Sequence, residues 1–391
     1  MRIVDVCAFY TPAGGGVKTY VERKLAAARP GVEEVIIVAP GRDNAVIQRA
    51  NGGQIETIAA PHFPLDRRYH YFSDACALHA LLDRLEPDVI EVSSPWASPV
   101  MVARWPGKAV RSLIMHADPL SAYAYRWFGN FLSHDTIDRR FDRFWRHLRR
   151  LDDQFDQVVC ASQKLANRLE AGGLRKIITN PMGVEPGIFS PDLRDPILRA
   201  RLLERCGLGE SATLLIALGR HASEKRWPMV IEAVKAAGYD HPVGLVLFGD
   251  GRDKKRVLRA AGNNPHIHLA APISDRRTLA TIMASADALI HGCEAETFCM
   301  VAAEARASGL PLIIPDDGGA GDQYVPGQGA IYDAGNAAAL VEALKQFLQS
   351  DPPAQRARAS LAAGFTRTMD AHFTELFDRY RTISEKWADA A

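Results

Sequence analysis

Seven residues separate two acids, Glu296 and Glu304, and the gap is largely apolar, from Thr297-Phe298-Cys299 to Ala302-Ala303. A strand-like run at 288–291 precedes the pair. Ser308-Gly309-Leu310-Pro311, a helix stop, and a second apolar run at 312–314 follow it. In a parallel α/β sheet, ligands bind at the carboxyl ends of strands, beside helix N-termini. Glu296 therefore falls in the loop at the mouth of such a site, with Glu304 about two turns into the helix. Two cations, Arg220 and Lys225, flank the loop after the run 213–218, which Gly219 ends. Cations at a strand's carboxyl end neutralise concentrated negative charge, such as that of a departing nucleoside diphosphate. Gly14-Gly15-Gly16 opens a third such loop, where backbone N–H groups can approach an anion at a helix N-terminus. Each feature has a plainer counterpart: a solvated helix face, a basic surface loop, a tight β–α turn.

The elements that must hold these loops are written in the apolar pattern. Short apolar runs alternate with helical periodicities from end to end, the habit of doubly wound parallel sheets. Strands are expected at 2–9, 34–38, 88–92, 109–115, 157–160 and 176–178, with helices at 17–28 and 74–85 among them. The Pro- and Gly-rich stretch 180–191 reads as a linker. Strands resume at 213–218, 243–248, 267–269, 288–291, 312–314 and 330–332, with helices such as 229–237 and 277–284 between them. From 352 onward the chain reads as helical, with Phe365, Phe373, Leu376, Phe377 and Tyr380 as the apolar stripe.

With 391 residues the chain exceeds one ordinary core. Its formal net charge of +1 gives no reason to expect nucleic acid. Six cysteines without a C-x-x-C pair fit buried thiols in a reducing cytosol better than disulfides or a zinc site. The start of the chain is too interrupted for a signal peptide, and no apolar run is long enough to span a bilayer. A cytoplasmic two-domain α/β protein is expected.

The loops also form a set. Gly219-Arg220-x-x-x-Glu224-Lys225, then Phe248-Gly249-Asp250-Gly251, then the two acids, then Asp317-Gly318-Gly319-Ala320, occur in the order and spacing of the retaining glycosyltransferases of family 4. The linker, Asn180-Pro181-Met182-Gly183-Val184-Glu185 through Phe189-Ser190-Pro191, resembles that family's hinge. The resemblance spans nearly the whole chain and implies a GT-B fold: two Rossmann-like, doubly wound parallel-sheet domains facing a cleft, with a C-terminal helix crossing back. The expected boundaries are 1–185 for an acceptor-binding domain, 186–365 for a nucleotide-sugar-binding domain and 366–391 for the returning helix.

The resemblance also implies roles. Arg220 and Lys225 would hold the donor diphosphate, with Gly219, Gly249 and Asp250 beside it and Gly15 and Gly16 closing from the first domain. Glu296 would contact the donor sugar, and backbone groups of Thr297, Phe298 and Cys299 would touch sugar or phosphate. Glu304 would bind the ribose hydroxyls, and His116 would lie near the sugar. Asp118 is a candidate acceptor-side acid or a cap. Two positions depart from the pattern: Cys299 replaces a usual glycine, and Asp322 stands where Glu is usual.

The implied activity is transfer of a sugar from a GDP- or UDP-sugar to a glycan or lipid-linked hydroxyl, with retention of configuration. No Asp-x-Asp occurs in the chain, so Arg and Lys would take a metal's part and no cofactor is expected. Three rivals are an oxidoreductase, an epimerase or phosphorylase of the same fold, and a silent nucleotide-sugar-binding protein. The first lacks G-x-G-x-x-G, because Thr19 stands where its last glycine would be. The aromatic stretch Tyr123–Phe128 with Phe131-Leu132, and the arginine-rich stretch 139–151, suggest an anionic membrane surface as a further partner. The alternative for the second stretch is an ordinary helix packed on its own domain.

Overall fold

The computed structural model describes residues 1–12, 16–49, 53–64, 67, 69–116, 120 and 134–389. Gly14, Gly15, Asp118 and the aromatic stretch at 123–132 lie outside the described residues. The chain divides into two compact units. One holds most of the chain up to Pro181 together with Asp370–Ala391, and the other holds Met182–Met369.

The first unit is built on β1 (Arg2–Val6), β2 (Glu34–Gly41), β3 (Ala45–Gln48), β4 (Gln54–Ala59), β5 (Val89–Val92), β6 (Val110–Met115), β7 (Gln157–Cys160) and β8 (Ile177–Thr179). Their order is β3-β4-β2-β1-β5-β6-β7-β8, all parallel except the β3–β4 pair. β3 and β4 are absent from the apolar pattern read above. Every β3 side chain is exposed, so no buried alternation marks it. The strand expected at 2–9 ends at Val6, and its sequel enters the glycine loop.

The carboxyl-terminal segment is two helices, Pro352–Ala362 and Met369–Asp389, with a 3-10 turn between. Phe373, Leu376, Phe377 and Tyr380 are buried as expected, but Phe365 is 88% exposed. It sits in the turn, where helical periodicity no longer sets its direction. The helix Met369–Asp389 is tied to the first sheet by its Tyr380 hydroxyl, which donates to Glu91 Oε1 at 2.5 Å. Beneath that bond Lys24 binds both Asp5 Oδ2, at 2.6 Å, and Glu91, and Ser93 donates to Asp5 Oδ1 at 2.9 Å. Lys24, Asp5 and Glu91 are all inaccessible to solvent.

The arginine-rich stretch forms the helices His134–Arg140 and Asp142–Gln154. Ile137, Trp145, Leu148 and Leu151 are buried, so the apolar stripe packs inside this unit. Arg139, Arg140, Arg143, Arg146 and Arg150 are exposed.

The second unit contains β9 (Thr213–Leu218), β10 (Val243–Phe248), β11 (Ile267–Ala270), β12 (Ala288–Ile290), β13 (Leu312–Pro315) and β14 (Gly329–Tyr332). All are parallel, in the order β11-β10-β9-β12-β13-β14. The order reverses between β9 and β12, which makes their carboxyl ends the topological switch point where a ligand crevice forms. Trp227, Val230, Ile231 and Val234 from the helix Trp227–Ala237 fill the core beside β9 and β10.

Candidate active site

Both second-half loops singled out in the sequence leave the sheet at that switch point. Gly219 through Lys225 follow β9, and Gly292 through Cys299 follow β12. Trp227 anchors the first loop. Its ring is buried, and its indole N–H donates to the Arg220 carbonyl at 2.9 Å. The second loop is held by the Gly-Gly turn after β13. The Gly319 N–H donates to the Glu296 carbonyl at 2.6 Å, and Gln323 Nε2 donates to the Phe298 carbonyl at 3.1 Å. Gly318 has φ +65°, and a Cβ there would collide with the Glu294 carbonyl oxygen. Only glycine fits both demands.

At the centre Lys225 Nζ binds Glu296 Oε1, with His291 Nε2 at 3.3 Å from the same oxygen. His291, the residue after β12, is wholly buried. Beside this group Arg226 grips Glu294, its Nε lying 2.9 Å from Oε2. Burial opposes ionisation of Glu296, but Lys225 and then His291 outweigh it and hold the carboxyl far below the usual carboxylate range. Burial likewise disfavours the Lys225 ammonium, and Glu296 reverses that and pushes its pKa up. Both shifts favour the charged pair. The His291, Glu296 and Cys299 donor atoms lie within 4.8 Å of one another, a spacing that could hold a metal ion. The Lys225 ammonium already supplies positive charge at the same carboxylate.

Cys299 stands at the N-terminus of the helix Met300–Ala307 with φ +63°. The backbone thus keeps the left-handed conformation that glycine favours although a side chain is present, and the thiol is buried. Glu304 lies on the same helix, buried, and accepts from Arg276 Nη2 at 2.5 Å. Burial raises its pKa, and Arg276 offsets part of that rise.

The other candidates are less enclosed. The Arg220 side chain is 76% exposed, 3.5 Å from Glu224. Gly249 packs so closely on the Gly219 carbonyl that a Cβ would collide with it. The exposed Asp250 caps its own loop at the Gly251 N–H, 2.7 Å away, and Asp322 follows the Gly-Gly turn, exposed. In the first unit, Gly16 opens the helix Gly16–Ala27 after β1. His116 follows β6, its ring 4.8 Å from that of Tyr20. Burial and then Lys24 lower the His116 pKa to about 4, so the ring is neutral.

Reading the sequence picked out Lys225 and Glu296, which the fold brings into contact, and Glu304, which lies on the helix that follows their loop and contacts Arg276. It missed His291, Arg226, Glu294 and Arg276. His291 had been read as the last residue of a strand, which is also the position nearest a crevice. Arg276 carried no local signal beyond opening a helix.

Comparison with known proteins places the chain in a family. Residues 202–363 match the family model of glycosyl transferases group 1, and residues 14–187 match that of glycosyltransferase family 4. A GDP-mannose-dependent alpha-(1-6)-phosphatidylinositol dimannoside mannosyltransferase of Mycobacterium tuberculosis is 30% identical, over 80% of this chain and 79% of its own. A GDP-mannose-dependent alpha-mannosyltransferase of Mycolicibacterium smegmatis is 27% identical over 98% of both chains. Among solved structures, a sucrose-phosphate synthase from Thermosynechococcus elongatus superposes with a TM-score of 0.74 at 18% identity, over 98% of both chains. That likeness extends to the fold.

Proposed function

Because the chain belongs to the family 4 glycosyltransferases and is an enzyme that moves a sugar from a nucleoside-diphosphate donor to an acceptor, we propose that its donor is GDP-mannose and its acceptor a lipid-linked hydroxyl, and that it retains the donor's configuration without a metal. The relatives named above support the donor and the acceptor class. The observation that carries the chemistry is the Lys225–Glu296 pair at the switch point between β9 and β12.

In this reading Lys225 and Arg220 take the diphosphate charge as the C1–O bond breaks. Gly219, Gly249 and Asp250 line that loop, and Gly15 and Gly16 contribute backbone N–H groups. Glu296 orients the sugar, and the backbone of Thr297, Phe298 and Cys299 at the helix N-terminus meets sugar or phosphate. Glu304 accepts from the ribose hydroxyls. The acceptor oxygen bonds to C1 on the face the diphosphate leaves, and its proton passes to a phosphate oxygen. Neutral His116 donates or accepts a hydrogen bond near the sugar without adding charge, and Asp118 is the acceptor-side acid. Catalysis of this kind is positioning plus stabilisation of the leaving charge.

No helix among the described residues is long and apolar enough to cross a membrane. We assign the protein to the cytoplasmic membrane face, held there by the exposed Arg139, Arg140, Arg143, Arg146 and Arg150, while Ile137, Trp145, Leu148 and Leu151 of the same two helices are buried. Such binding needs anionic lipid and weakens with salt.

A thermal-shift panel of GDP-, UDP- and ADP-sugars should give its largest stabilisation with GDP-mannose. Nucleotide release should persist in excess chelator, and the anomeric coupling of the product should show the α configuration. A larger shift with a UDP-sugar would reject the donor. Activity restored only by Mg²⁺ or Mn²⁺ would reject metal independence, and a β product would reject retention.

A further inference from the structure

A buried carboxylate without a counter-charge takes up a proton. Glu304 would be such a group but for one cation: its side chain is 8% exposed on the helix Met300–Ala307. Among the described residues one charged group acts on it, Arg276, whose Nη2 donates to Oε1 at 2.5 Å. Arg276 opens the helix Arg276–Ser285, whose cap Asp275 accepts from the Thr278 N–H at 2.7 Å. Its guanidinium is fixed from a second side by the linker, with Glu185 Oε2 at 3.4 Å from Nε and the Phe189 ring centroid at 4.9 Å. Arg306, on the same helix as Glu304, is turned instead to Gln323 Oε1, at 3.1 Å. The second oxygen of Glu304 carries no hydrogen bond among the described residues.

We propose that Arg276 is a positioning residue for the donor: it keeps Glu304 charged and holds one of its oxygens, leaving the other for the vicinal hydroxyls of the donor's ribose. This rests on the reading of Glu304 as the ribose acceptor. A charged carboxylate accepts from a hydroxyl roughly twice as strongly as a neutral group does. Glu185 competes for the same guanidinium, so the linker and the ribose site share one cation. Burial already raises the Glu304 pKa from its ordinary value with Arg276 in place. Removing the cation lifts it further. The carboxyl is then shifted towards its neutral form, and raising the pH restores its charge.

The test is steady-state kinetics with GDP-mannose, with calorimetric titration of GDP, from about pH 6.5 to about pH 9. The proteins are the parent, Arg276→Ala, Arg276→Lys, Glu304→Gln and the Arg276→Ala/Glu304→Gln double variant. Arg276→Ala should raise the donor KM and the GDP Kd about tenfold at neutral pH, with kcat within about twofold. The defect should shrink as pH rises, and Arg276→Lys should restore most of the affinity. In the Glu304→Gln background, Arg276→Ala should add no pH-dependent defect. Parental affinity in Arg276→Ala overturns the proposal. So does a defect that is constant with pH, or one of equal size in the Glu304→Gln background, because each assigns Arg276 to packing or to direct donor contact. If the parent turns over GDP-mannose but Glu304→Gln binds GDP as the parent does, it is the ribose assignment that fails.

Discussion

The two units each contain a lysine held by a carboxylate, and the two clusters differ in where they lie along their strands. Lys24 meets Asp5 and Glu91 inside β1 and β5, in the body of the first sheet, and none of the three is accessible. Lys225 meets Glu296 beyond the ends of β9 and β12, where the two side chains remain 15% and 20% exposed. The same ion pair therefore serves opposite ends. Sealed in a sheet, its charges act on one another and on the neighbours Ser93, His116 and Tyr380, and they hold the returning helix. At a switch point, a ligand can reach them. Depth along the strand, rather than residue type, separates a sealed charge from one that a ligand can reach.

Breaking the sealed cluster should have the largest effect. Lys24→Met leaves Asp5 and Glu91 buried without their cation, which costs about 3–5 kcal/mol and lowers Tm on the order of 10 °C. Thermal scanning would contradict the comparison if Tm moved by less than about 2 °C. The open cluster should behave in reverse. Lys225→Ala and Glu296→Gln should each cut kcat on the order of a hundredfold while leaving Tm within a few degrees. Full kcat in either variant would remove it from the chemistry.

A smaller effect reports on the backbone beside the open cluster. Cys299→Gly and Cys299→Ala both lose the buried thiol, but only alanine keeps a side chain at φ +63°. The glycine variant should be more stable than the alanine one by about 1 kcal/mol, read from denaturant midpoints. Equal midpoints would mean that the loop relaxes away from the left-handed conformation.

The smallest effect concerns His116, a neighbour of the sealed cluster. Burial and the Lys24 charge hold His116 near a pKa of about 4, against a usual 6.5. The unfolded chain therefore takes up this proton before the folded chain does. The neutral ring's contribution to stability is complete above about pH 6.5 and is lost as pH falls through about 4. Between those values Tm should fall faster in the parent than in His116→Phe. Parallel curves would show that the ring is not held neutral.

Much of the second unit was legible before its structure. Its six strands were read within a residue or two, because each is a short apolar run bounded by turn residues. Arg220, Lys225, Glu296 and Glu304 were singled out because they follow such runs and because their loops together resemble the motif set of one family. The edge strand β3 was not legible, since an exposed strand buries nothing that would pattern it, and β4, which does bury Ile55 and Ile58, was missed. Phe365 was misplaced because one unbroken helix was read across a turn.

What the sequence determined by itself is the order of elements and the loops in which chemistry can occur, because apolar periodicity and turn residues act over a few neighbouring positions. Which charges meet was decided only by the tertiary structure. Lys225 and Glu296 are 71 residues apart, and Arg276 and Glu304 are 28 apart. Lys24 reaches Glu91 across 67 residues, and Glu91 meets Tyr380 across 289. No local preference spans those distances. The pairs form because the strand order reverses between β9 and β12 and because the last helix returns to the first sheet, and packing then fixes which carboxylate each cation can reach.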